Sequence, residues 1–204
     1  ASKNKPIIIS TGIANIEDIE LAVAACKRFG NQEIVLLKCT SSYPAPIDEA
    51  NLSMIKDLAD RFNVISGLSD HTIGSVVPIL SVAFGAKIIE KHFILDRSIG
   101  GPDASFSMNE REFTDMVKSV RLAECAIGKV DYNLTDKQIK SRVFSRSLYV
   151  VSKIQAGEKI SSNNIRSVRP GLSEHPKHFK TMLGMTAVKD YEIGDRIFLE
   201  ELKL

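Results

Sequence analysis

Four short segments hold most of the side chains able to do chemistry: "STG" at 10–12, "CTSSYP" at 39–44, "SDHT" at 69–72 and "EKHF" at 90–93. Hydroxyls at this density, including Ser10, Ser41 and Ser69, together with backbone N–H groups suit a phosphate or carboxylate held without bulk positive charge. His71 and His92 are two of four histidines. If the strands ending at them are neighbours, one divalent ion can bridge both imidazoles and keep open positions for a substrate. Spacing alone favours hydrogen-bonded core or loop histidines, because two ligands fall short of a spaced four-ligand motif. Asp103 in "GGPDASFS" could fold a carboxylate over the site, or serve only the Gly-Pro-Asp turn. Tyr43, before Pro44, could line the site or pack at its rim. Arg169 in "SVRPG" could present a guanidinium to a carboxyl or amide oxygen, or be an ordinary surface arginine. His175 and His178 fall in a polar loop and are expected to be exposed.

The elements that must position these residues follow from hydrophobic period. From residue 5 to 128 short β-rich runs alternate with helix-period runs, the pattern of parallel βα units. Strands are predicted at 7–10, 34–39, 64–68 and 86–93, each rich in Ile, Val or Leu and closing on one of the polar clusters. The first helix opens after Asn15 and spaces Ile16, Ile19, Val23 and Cys26 along one face before Gly30. A second covers 52–62, with Leu52, Ile55, Leu58 and Phe62 as its stripe. A third, 76–84, is apolar nearly all round. The fourth is expected to open on a capping box from Ser107 to Glu110, to turn Phe113, Met116, Val117 and Val120 inward, and to end at Gly128.

Four such units make about half of a (β/α)₈ barrel, whose usual length is about 250 residues; an open flavodoxin-like sheet fits the periodicity too. Both architectures gather the segments after the strands on one face. The domain reading is 1–128 for the βα region, 129–144 for a polar interdomain linker, and 145–204 for a small, mostly β domain with strands near 148–151, 165–168, 186–188 and 197–199.

Net charge is +2, from 27 basic and 25 acidic residues, so nothing favours nucleic acid or an anionic membrane in bulk. Cys26, Cys39 and Cys125 are odd in number and widely spaced, and are expected to be buried free thiols of a reducing compartment. The apolar runs are too short to span a bilayer, and the expectation is a cytoplasmic protein.

"CTSSYPAP", "GLSDHTIGSVVPILSVAFGAKIIEKHF" and "GGPDASFSMNEREF", in this order, resemble the sialic acid synthase, or nonulosonic acid synthase, family over roughly residues 5–128. "SLYVVSKIQAGEKI" and "IRSVRPGL" resemble the antifreeze-like (SAF) domain that follows its barrel, and "GGPDASFS" with "SSYPAP" is most similar to the pseudaminic acid synthase branch. The resemblance implies an α/β fold, the C-terminal half of a (β/α)₈ TIM barrel before a SAF domain. It also implies condensation of phosphoenolpyruvate with an N-acylated amino sugar, and a divalent metal, manganese or magnesium, on His71 and His92. It matches Ser10 and Ser69 to phosphoenolpyruvate, and Tyr43 and Asp103 to the sugar. Ser41 stands where another branch carries asparagine. Arg169 is matched to an arginine that enters the partner's barrel in a domain-swapped homodimer. N-acetylneuraminate or legionaminate synthesis, a pyruvate-using aldolase and a non-catalytic carbohydrate-binding module are the competing readings. The resemblance begins at the family's fifth strand, so the lysines and glutamate of the early strands have no counterparts among these 204 residues, and the chain by itself is expected to be inactive.

Overall fold

The computed structural model describes residues 1–3 and 5–204, which form two compact units, Ala1–Lys129 and Val130–Leu204. In the first unit β1 (Ile7–Ser10), α1 (Ile16–Arg28), β2 (Ile34–Cys39), α2 (Ser53–Phe62), β3 (Ile65–Asp70), α3 (Val76–Ala83), β4 (Ile88–Lys91) and α4 (Glu110–Ile127) follow one another. The strands pair in parallel in the order β1-β2-β3-β4. An order that never reverses, with the helices packed on one face, is half of a (β/α)₈ barrel; a flavodoxin-like sheet reverses its order and takes helices on both faces.

Alternation along each strand decides what faces what. Ile7, Ile9, Ile34 and Leu36 meet Ile19, Val23, Cys26, Leu58 and Phe62 of α1 and α2. Leu68 packs with Ile55 and Val77, and Ile89 with Val82, Met108, Met116 and Val120. The other face carries no helix: Ile8 and Ile65 are each 53% exposed there, while Leu37 is fully buried. Leu37 is buried because it lies across Gly67, where a Cβ would stand 2.7 Å from the leucine side chain and 2.3 Å from the Ile88 carbonyl oxygen.

Helix starts follow side-chain chemistry. Asn15 caps α1 in a capping box with Asp18. The box of α4 is Asn109 with Glu112 rather than Ser107 with Glu110. Ser107 is committed elsewhere, since both its N–H and its hydroxyl donate to the Asp103 carbonyl. β3 runs two residues beyond the predicted 64–68, and β4 is shorter than the predicted 86–93. Val117 is partly exposed on α4, and Cys125 is exposed, off the Met116 and Val120 stripe, whereas Cys26 and Cys39 are buried.

Within 129–144 the chain forms a helix, α5 (Asp136–Ser141), capped by Thr135 and Gln138. In the second unit β5 (Ser147–Val150) pairs antiparallel with β6 (Ile165–Val168). After α6 (Phe179–Met182), β7 (Thr186–Ala187) pairs with β8 (Leu202–Lys203). Leu148, Val150, Ile154, Ile160, Tyr191 and Ile197 are among its core residues. The strand expected at 197–199 is absent. Ile197 N–H donates to the Ser173 hydroxyl and Leu199 N–H to the Glu174 carboxylate, so side chains satisfy the backbone that a ladder would otherwise pair. Among the described residues no helix is long and apolar enough to cross a membrane.

Gly67→Ala should overpack the sheet where Leu37 crosses it, lowering stability by about 1–3 kcal/mol. Urea unfolding followed by circular dichroism checks this, and a change below half a kilocalorie, on the order of measurement error, would mean the strands part without strain.

Candidate active site at the strand ends

Parallel pairing sends the carboxyl ends of all four strands to one edge, where a cleft of about 390 Å³ opens. Ser10, Ser41, Tyr43, Ser69, His71 and His92 all line it, with Gly12, Cys39 and Glu90. Thr11, Asp70 and Thr72 are buried in the supporting structure instead; the Thr11 hydroxyl, for example, donates to the Leu37 carbonyl at 3.0 Å.

The register of β3 and β4 sets Ser69 opposite Glu90, and the serine hydroxyl donates to the glutamate carboxylate at 2.7 Å. Two residues further along each strand on the same face come His71 and His92, with ring centroids 5.1 Å apart and planes at 67°. The loop after β2 is drawn over His71: Ala45 N–H donates to the His71 carbonyl, and the Tyr43 ring lies 4.4 Å from the imidazole. The loop after β4 returns to its own strand. Met108 N–H donates to the His92 carbonyl and Ile94 N–H to the Met108 carbonyl, which brings Phe106 to 5.1 Å from the His92 ring. The same return sets an Asp103 carboxylate oxygen 3.5 Å from His92 Nδ1. Asp103 thus touches a histidine directly, and being half exposed it also faces solvent.

His71 Nδ1 lies 3.0 Å from the Thr40 carbonyl oxygen. A carbonyl only accepts, so Nδ1 carries the proton and Nε2 keeps its lone pair. His92 has Asp103 beside its Nδ1 at 3.5 Å, a charge contact rather than a hydrogen bond. Burial pushes the His71 pKa below its ordinary value, against the opposing Thr40 hydrogen bond and aided by His92, so the ring is neutral at neutral pH. Imidazoles tied through one nitrogen to an oxygen acceptor are the usual metal-ligating arrangement. Among the described residues no three or more His, Cys, Asp or Glu side chains gather as a metal site. The pair therefore offers two nitrogens and leaves the rest of a coordination sphere to water or substrate oxygen, a mixed set that fits a catalytic divalent ion better than a closed structural one.

Two cleft residues carry no individual role in the sequence reading. Glu90 is the single carboxylate lining the cleft among the described residues; its position two residues before His92 on a strand was the available signal. Cys39 lies 3.9 Å from His71 Nδ1 and 4.0 Å from the Ser41 hydroxyl, and only the folded β2 to β3 pairing shows this. Gly12 permits the approach of Ser41, since a Cβ at Gly12 would lie 2.0 Å from that hydroxyl oxygen. Arg169 is in the second unit, exposed, just after β6 and joined to Pro170 by a cis peptide bond. His175 is exposed there, and His178 is partly buried beside Glu174.

Comparison with known proteins gives this edge a family. The chain is 46% identical over 197 residues to the pseudaminic acid synthase of Campylobacter jejuni, covering 97% of this chain and 57% of that relative. It is 35% identical to the N,N'-diacetyllegionaminic acid synthase of Legionella pneumophila, covering 100% of this chain and 58% of that one. The crystal structure of the spore coat polysaccharide biosynthesis protein SpsE from Bacillus subtilis matches it with a TM-score of 0.60 at 34% identity, over 100% of this chain and 62% of SpsE. The chain thus spans less than two thirds of the length of each. The SAF domain description matches residues 145–203 and the NeuB family description matches residues 1–132, which contain the whole cleft; the chain belongs to the NeuB family.

Proposed function

We propose that this chain carries the metal-binding side of a phosphoenolpyruvate-dependent nonulosonic acid synthase, which condenses phosphoenolpyruvate with 2,4-diacetamido-2,4,6-trideoxy-altrose to give pseudaminic acid and phosphate for surface-glycan synthesis. The observation that carries the reading is the pair of histidines, one of them tied through Nδ1 to a backbone carbonyl, facing one cleft beside three serine hydroxyls. The higher identity to a pseudaminic than to a legionaminic acid synthase favours this sugar.

In this reading His71 and His92 hold a manganese or magnesium ion through Nε2, and the ion when bound supplies Lewis-acid polarisation of the sugar aldehyde. Ser10, Ser41 and Ser69 hold the phosphate and carboxylate of phosphoenolpyruvate, while Tyr43 and Asp103 bound the sugar side. The phosphoenolpyruvate methylene carbon attacks the aldehyde carbon, whose oxygen takes up a proton. Water then adds to the former enol carbon, and Glu90 is placed to accept the water's proton. Collapse of that tetrahedral centre breaks its bond to the bridging oxygen, releases phosphate and leaves a 2-keto acid. Positioning and preorganised charge supply most of the rate in such a scheme.

Among the described residues no lysine or arginine lines the cleft, yet phosphoenolpyruvate brings a phosphate and a carboxylate. We therefore extend the reading to a domain-swapped homodimer in which Arg169 serves a second copy's cleft. Its exposure and its place at a strand end support this. A cytoplasmic location is proposed as well, since phosphoenolpyruvate is formed there.

The test is phosphate release from phosphoenolpyruvate with manganese. The protein should release phosphate with the diacetamido sugar and not with N-acetylmannosamine. Release with neither sugar would favour a binding module, and release from phosphoenolpyruvate with N-acetylmannosamine alone would move the substrate to the N-acetylneuraminate branch. His71→Ala should abolish metal-dependent release and weaken manganese binding in an electron paramagnetic resonance titration; unchanged binding would refute the assigned metal pair. Gly12→Ala should displace Ser41 and cost roughly 10-fold or more in kcat/KM for phosphoenolpyruvate while the thermal midpoint holds. Kinetics equal to the parent's would remove Ser41 from the phosphoenolpyruvate site.

A further inference from the structure

The cleft uses one face of β3 and β4. The opposite face, under the helices, holds a buried ion pair to which the reaction gives no task. The side chains of Asp70 and Lys91 are 2% and 1% exposed, and Lys91 Nζ lies 2.6 Å from Asp70 Oδ2. Asp70 Oδ1 accepts the Thr72 N–H at 3.0 Å, Oδ2 also accepts the Thr72 hydroxyl at 3.1 Å, and Lys91 Nζ donates to the Thr72 carbonyl. Residues 70–72 are thereby closed around His71, and this clamp is pinned to the residue that immediately precedes His92.

Neighbouring residues on a strand point to opposite faces, so the pair acts on the cleft only through the backbone that carries the histidines. As a source of stability it is poorly chosen. Desolvation offsets much of the attraction within a buried pair, and apolar residues of similar volume often stabilise as well or better. Apolar replacements lack direction, however. A carboxylate with three donors, one of them an ammonium that also holds a carbonyl, fixes two strand ends to hydrogen-bond tolerance.

We infer that Asp70, Thr72 and Lys91 are positioning residues, setting the separation and tilt of the His71 and His92 rings from behind the sheet. The inference rests on the reading of those histidines as the metal pair, and it adds that the pair's geometry depends on charges that touch neither metal nor substrate.

The test uses the parent protein, a double variant Asp70→Leu with Lys91→Met, and the milder Thr72→Val, which keeps the ion pair. Three quantities are read: the thermal midpoint, the long-range 1H–15N spectrum of the metal-free imidazoles, and manganese affinity by electron paramagnetic resonance. In the parent each ring should appear as one ordered tautomer, Nδ1–H in the case of His71. In the double variant the midpoint should be retained, the tautomers of at least one ring should average, and the manganese Kd should rise about 10-fold or more. Thr72→Val should give a smaller rise, roughly threefold, in the same direction. Parent-like rings and a Kd within twofold in both variants would overturn the inference and leave the pair a matter of stability alone. Should the double variant fail to fold, the Thr72→Val result decides. A parent that binds no manganese would sink the metal reading instead, and the imidazole spectra would then decide the positioning inference by themselves.

Discussion

The parallel register of β3 and β4 is the constraint on which the rest of this site depends. With Ser69 set opposite Glu90 and each strand running on past that pair, His71 and His92 come to the same height on the same face. A slip of one residue on either strand would turn one histidine under the helices and put Asp70 or Lys91 in the cleft. The register is held on both faces at once, by Leu68 and Ile89 in the apolar layer beneath the helices and by the Ser69 to Glu90 hydrogen bond on the cleft side.

Beyond the strands, the backbone has polar groups to satisfy and no ladder to satisfy them, and the site is built from how they are paired. The His71 carbonyl accepts from Ala45 and the His92 carbonyl from Met108, so the loops after β2 and β4 are drawn back over the two histidines. Each return delivers a ring: Tyr43 against His71, and Phe106 against His92. The Thr40 carbonyl, left over from the end of β2, takes the His71 Nδ1 proton and so leaves Nε2 free. Lys38, buried on the helix side with its pKa lowered by desolvation, donates to the Cys39 carbonyl and the Thr40 hydroxyl and steadies that same loop.

Electrostatically the described lining of the cleft is short of fixed positive charge. It holds a carboxylate, two imidazoles and hydroxyls, with no lysine or arginine among the described residues of its lining. An anionic substrate there needs positive charge supplied from outside these residues, and it is this deficit, more than any single distance, that makes a bound divalent ion and a distant arginine parts of one proposal.

The four βα units, their stripes and the polar segments after each strand are legible in the sequence, because period and strand-end composition are local properties. It also carried the family, through motifs long enough to be specific. The choice of a barrel-type sheet over an open doubly wound one lay in strand order, which periodicity does not encode. Only the tertiary structure turned Asp103 onto His92, assigned the helix cap to Asn109 because Ser107 was already bonded to the loop, and replaced an expected strand near Ile197 with side-chain partners. It also separated Asp70 from His71 and Lys91 from His92, residues adjacent in the chain, onto opposite faces of one sheet. Alternation makes that separation certain once a strand is known to span those residues, but which charges then meet, and that they bury each other, follows from a register fixed by contacts across residues far apart in sequence.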